Sequence, residues 1–135
     1  MYASGGNYRI ALEDGVVHWT VWARPDVDSQ QGARFAEEQI SHSVNLAIGA
    51  SRGLFFDLSG APNVMGPRTT AAIEATLAPW ERIKKPVAIL IGDNAMQRLQ
   101  WERIVREQAS HVGRVFASRP LALAWAASKL SGVAS

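Results

Sequence analysis

Two short apolar runs, Gly53–Leu58 and Val87–Ile91, constrain this chain more than any other feature. Both are strand length. Neither alternates apolar with polar residues, which is the pattern of strands covered on both faces in a parallel sheet. Stretches of helical periodicity separate them. Asp28 is placed to cap the first helix, with Gln31 completing a capping box. That helix is predicted to reach Ala47, with Ala36, Ile40, Val44 and Ala47 on its inner stripe. A second helix is predicted from Thr69 to Lys85 along Ile73, Leu77, Trp80 and Ile83, although Pro79 should kink or break it. A third spans Ala95 to His111, and a last one, capped by Ser118, sets Leu121, Ala124, Trp125 and Ser128 on one face.

Before the first helix, Tyr8–Leu12 and Val16–Ala23 read as strands joined at Asp14-Gly15, a dipeptide that tolerates the positive φ of a tight hairpin. Both faces of the second strand are apolar enough to predict that both are covered. With Arg114–Ala117 as a final strand, the order is β-β-α-β-α-β-α-β-α. This predicts an α/β fold: a mostly parallel central sheet, an N-terminal antiparallel hairpin and four helices. One domain over 8–130 is expected, with a flexible lead at 1–7 and a tail at 131–135.

The 135 residues are 47% hydrophobic and 19% charged, a balance that supports a packed core. There is no cysteine, which removes disulfides and thiolate metal sites. The net charge is only +2 and the basic residues are scattered, Lys84-Lys85 being the one adjacent pair. That distribution argues against nucleic-acid binding, which concentrates Lys and Arg on one face. No apolar run approaches the ~18 residues of a membrane span, and the N-terminus lacks a signal-peptide pattern. A cytoplasmic location is therefore expected.

Catalytic signatures are sparse. His18, His42 and His111 fit no HExxH or similar spacing, so no metal site is predicted. Phosphate loops and the GxSxG elbow are missing, and no cofactor is expected. Asp57, near a strand's C-terminal end, stands where α/β sheets place reactive groups. An aspartate there also bonds readily to the turn that follows, and the favoured role for Asp57, with Ser59 and Gly60, is to structure the loop. No catalytic residue is assigned. Of the five tryptophans, most are expected in the core, with Trp101 the best candidate for an interface on a third helix that is apolar over more than one face.

The stretch Leu54-Phe55-Phe56-Asp57-Leu58-Ser59-Gly60-Ala61-Pro62-Asn63-Val64-Met65-Gly66-Pro67-Arg68 resembles the STAS domain of bacterial anti-sigma-factor antagonists and stressosome proteins. In those domains a strand ending hydrophobic-Asp-Leu-Ser/Thr-Gly-Val-Pro precedes the regulatory helix. Val87–Asp93, Val115-Phe116-Ala117 and Ala122-Leu123-Ala124-Trp125 look like the SpoIIAA-like (STAS/Sec14-like) branch. The resemblance covers about Tyr8 to Leu130 and implies a STAS fold and a signalling role. One departure matters: the phosphoacceptor position of antagonist domains falls on Met65-Gly66, neither of which can be phosphorylated. Thr69 or Thr70 would serve only in a shifted alignment, and either would otherwise be a simple helix cap.

Four functions compete. The first is a signalling module that binds a partner protein through the Gly60–Thr70 loop and the second helix, with Asn63, Met65, Gly66 and Arg68 as contacts. A small anionic ligand or lipid held by Arg68, Arg24 and Arg119 near that helix's N-terminus is the second. Self-association as a homodimeric scaffold through the third helix is the third, and an enzyme using Asp57 or Asp93 the fourth.

Overall fold

The computed structural model describes residues 2–61, 66–92 and 94–133. It is an α/β fold with the element order β1 (Ala3–Ser4), β2 (Tyr8–Glu13), β3 (Val16–Trp22), α1 (Ser29–Ile48), β4 (Gly53–Gly60), α2 (Pro67–Ile83), β5 (Val87–Leu90), α3 (Ala95–Gln108), β6 (Gly113–Phe116) and α4 (Arg119–Val133). The strands form one six-stranded sheet in the order β1 to β6. β1, β2 and β3 pair antiparallel, and β3 through β6 pair parallel.

Sequential order decides where the helices lie. Crossovers to the next parallel neighbour are right-handed as a rule, which sends α1, α2 and α3 to one face of the sheet, where their buried residues share one core. The main core fills that side, with Trp19, Phe56, Leu77, Trp80, Ile89 and Trp101 among its residues. Only α4 returns to the other face, where Phe55, Ala88, Leu90 and Ala122 form a smaller core. Among the described residues, no helix covers the outer half of that second face. Val16, His18 and Thr20 are half-buried there, and Trp22 at the strand end is exposed. Full cover of both faces of β3 therefore does not hold: the described residues supply one helix for that side, and it spans β4 to β6.

The hairpin is built as expected. Asp14 (φ 53°) and Gly15 (φ 81°) make its two-residue turn between the paired Glu13 and Val16. The lead expected to be flexible supplies β1, with Ala3 opposite Ile10 and Ser4 opposite Arg9. Its glycines allow it to lie close to its neighbours: a Cβ on Gly6 would stand 2.4 Å from the Phe35 ring. α4 continues to Val133, into the segment expected as a tail.

Three helices differ in detail from expectation. α2 begins at Pro67, whose fixed φ suits the first helical position, and it runs through the buried Pro79 to Ile83 without a break. Lys84 then ends it in the left-handed region at φ 62°. α3 stops at Gln108, three residues early, where Ala109 leaves the helical region. On α1 the buried stripe is Ala33, Gln39, Ser43, Leu46 and Ala47, while Val44 is exposed. Two polar residues lie on that stripe because two buried indoles need acceptors. Trp19 Nε1 donates to Gln39 Oε1 at 2.7 Å, and Trp80 Nε1 donates to Ser43 Oγ at 2.8 Å.

Candidate functional site

Alternation along β4 divides its side chains between two sites. Phe56 and Leu58 face the three-helix side; Phe55 and Asp57 face α4.

On the α4 side, Asp57 is buried with 8% of its surface exposed. Its Oδ1 accepts from the Ser59 backbone N–H at 3.0 Å and from the Ser59 hydroxyl at 2.6 Å. Its Oδ2 accepts from the Arg119 guanidinium. Burial by itself would push the Asp57 carboxyl up. The Ser59 hydroxyl, the Arg119 guanidinium and the Ser59 N–H outweigh it and hold the group below the usual aspartate value. The Arg119 guanidinium also stands 5.9 Å from the centre of the Phe55 ring. Asp57 thus orders the turn through Ser59 and, in addition, docks α4.

That docking sets the rotation of α4. Arg119, Ala122 and Ala126 share a helical stripe, so fixing Arg119 on Asp57 turns Ala122 and Ala126 to the sheet. Trp125 packs beside them against Phe116 at 5.7 Å between ring centres. Of the four residues expected on one face, Trp125 packs inward, whereas Leu121, Ala124 and Ser128 are exposed. One signal in the sequence and one in the sheet bear on this pairing. An arginine in the first turn of a helix opposes the macrodipole and needs an anion. The register also aligns Asp57, Leu90 and Phe116 across adjacent strands, three residues before Arg119.

On the other face, a cavity of about 280 Å³ opens between α1, α2 and the C-terminal ends of β3 and β4. Phe56, Leu58, Trp101, Gln39 and Thr76 are its buried lining residues, and Ala36 and Ile73 form its walls. Its exposed rim includes Trp22, Arg24 and Gly66. Gln39 and Thr76 spend hydrogen bonds on the protein: Gln39 accepts from Trp19 and donates to the Phe35 carbonyl, and Thr76 Oγ1 donates to the Ala72 carbonyl. Asn7 differs. Its side-chain Oδ1 is buried without a hydrogen-bond partner, an arrangement that costs about 1–3 kcal/mol.

The three arginines read as an anion site are not brought together. Arg68 is bound to Glu37 of α1 by two hydrogen bonds of 2.7 Å. Arg24 holds Asp26 through Nε at 3.1 Å and Nη2 at 2.5 Å, and donates to the Gly6 carbonyl. Arg119 serves Asp57 on the opposite face of the sheet. Thr69 and Thr70 lie inside the first turn of α2 rather than capping it; the cap is Gly66, and the Thr70 hydroxyl donates to the Gly66 carbonyl at 3.0 Å. Gly66 and Arg68 are exposed, and Gly60 ends β4 beside Trp22. Asn63, Met65 and Asp93 lie outside the described residues.

Trp101, the best candidate for an interface among tryptophans expected mostly in the core, is a core residue, buried against Phe56 at 6.2 Å between ring centres. The exposed apolar residues of α3 are Met96 and Leu99, at 74% and 67%. Sequence pattern gave α3 two apolar faces, and tertiary packing buries the one that carries Trp101.

Fold and site together describe an α/β protein with an antiparallel hairpin leading a parallel sheet, and an acid at the strand end engaged in holding a helix. Comparison with protein families, with curated proteins and with solved structures finds no match. Among the described residues no helix is long and apolar enough to cross a membrane, and no group of three or more His, Asp or Glu side chains is arranged to hold a metal ion.

Proposed function

We propose that this chain is a non-catalytic regulatory module of the STAS, SpoIIAA-like kind, which binds a partner protein through the Gly60–Thr70 loop and α2. The observation that carries this reading is the engagement of Asp57. Both of its carboxylate oxygens are committed, to Ser59 and to Arg119, so the acid at the strand end serves the architecture. What this edge offers another molecule is the exposed start of α2, Gly66 to Arg68. The hairpin, the parallel strands and the four helices are compatible with a STAS fold.

Arg68 also braces α1, so its charge must be changed without losing the brace. Glu37→Arg with Arg68→Glu keeps an ion pair between the helices and inverts the charges that a partner meets. An exposed pair contributes little to stability, so the swap should fold normally. Affinity capture from native lysate is expected to lose the specific partner with the swapped variant. An unchanged set of captured proteins would remove this surface from the account.

Self-association through α3 is the second reading, favoured by the exposure of Met96 and Leu99.

A further inference from the structure

The cavity between α1 and α2 meets the proposed partner surface at Gly66 and Thr69, but its interior lies behind that surface and is built as a ligand site. Its volume of about 280 Å³ is close to the lower end of the range for small-molecule pockets. It is also nearly twice the ~150 Å³ that takes up a benzene ring. Phe56, Leu58, Ile73 and Trp101 give it an apolar interior; Phe56, Leu58 and Trp101 belong to the main core and Ile73 packs against it. The two charged side chains among its described lining residues are already occupied: Arg24 holds Asp26, and Asp28 accepts from the Gln31 N–H at 2.8 Å. An anionic ligand would therefore meet no free cation there and would meet a carboxylate. Asn7, in contrast, lines the cavity and has a side-chain Oδ1 that is closed off and without a hydrogen-bond partner in this conformation, so a turn of the amide is what brings that oxygen to a ligand.

We propose that this cavity binds a small neutral molecule, with an apolar body of about two fused rings and one hydroxyl group. The body replaces water against the Phe56, Leu58 and Trp101 surfaces. The hydroxyl pairs with the Asn7 amide, as donor or acceptor according to which end of the amide turns toward it.

Titrating the full chain with β-naphthol, naphthalene and β-naphthoate, followed by heteronuclear NMR, tests the proposal. β-Naphthol is expected to bind saturably, shifting the backbone amides of Gln39, Thr69, Ile73 and Thr76. Naphthalene should bind at the same place about tenfold more weakly, the loss of one hydrogen bond, and β-naphthoate more weakly than β-naphthol. Asn7→Ala should erase the tenfold preference of β-naphthol over naphthalene. Ile73→Trp should abolish binding of both; if that variant does not fold, the Asn7→Ala comparison still decides. The proposal is overturned by an absence of saturable shifts, by shifts centred elsewhere, or by β-naphthoate binding tightest. Each of these results leaves the partner surface of α2 untouched, because no partner protein enters the titration.

Discussion

Replacing Ser43 with alanine is expected to lower the unfolding free energy by about 2–3 kcal/mol, a large effect for the loss of one oxygen atom. Ser43 is fully buried on α1. Its hydroxyl donates to the Thr76 carbonyl at 2.5 Å and accepts from Trp80 Nε1 at 2.8 Å, joining α1 to two turns of α2. Alanine leaves the Trp80 N–H buried and without an acceptor, and that desolvated donor carries most of the cost. A urea-denaturation cycle with Trp80→Phe isolates the term. Phenylalanine has no N–H to orphan, so Ser43→Ala should cost clearly less in that background. Equal costs in both backgrounds would assign the loss to packing alone.

Asp57→Asn should cost about 2 kcal/mol at neutral pH, and that difference should vanish in acid. The figure lies below the 3–5 kcal/mol of a fully buried pair because Arg119 is half-exposed and regains water when its partner is lost. The sign of the pH dependence follows from the depressed folded-state pKa. Unfolded, the group titrates near the ordinary 3.8. Folded, it holds its charge to lower pH. Its contribution is therefore complete above the ordinary value and is lost as pH falls through the lower, folded one. Urea midpoints for wild type and Asp57→Asn, measured from pH 7 down to about pH 2, should converge at the acid end. Amide exchange should also quicken in α4 first, since the Asp57–Arg119 contact is what fixes that helix. A difference that stays constant across pH would mean that Asp57 acts through shape alone.

Strand and helix order were legible because they rest on local signals. The runs at Gly53–Leu58 and Val87–Ile91, the Asp14-Gly15 turn and the Asp28 cap each act within a few residues. Which face of a helix turns inward was harder to read, for reasons that are tertiary. Apolar periodicity on α1 pointed to Ile40 and Val44, whereas the buried indoles of Trp19 and Trp80 required Gln39 and Ser43. On α4, Leu121 to Trp125 are apolar without interruption, so no period selects a face; a contact with Asp57, 62 residues away in sequence, makes the selection. β1 escaped notice because two residues carry no pattern, and its pairing with β2 exists only once the hairpin has formed. Arg68 is a candidate by its place at the start of the second helix, and Arg24 and Arg119 by their nearness to strand ends. What separated them was carboxylates closer at hand, Asp26 for Arg24 and Glu37 for Arg68.

The partner surface is tested most directly by its footprint. Hydrogen–deuterium exchange would be measured on this chain alone and saturated with a protein captured by wild type but lost with the Glu37→Arg/Arg68→Glu swap. Slowed exchange is predicted over Gly66 to Ile73 and at the end of β4, with α3 and α4 unchanged. Protection centred on Met96 and Leu99, with the start of α2 exchanging as in the free chain, would contradict the account.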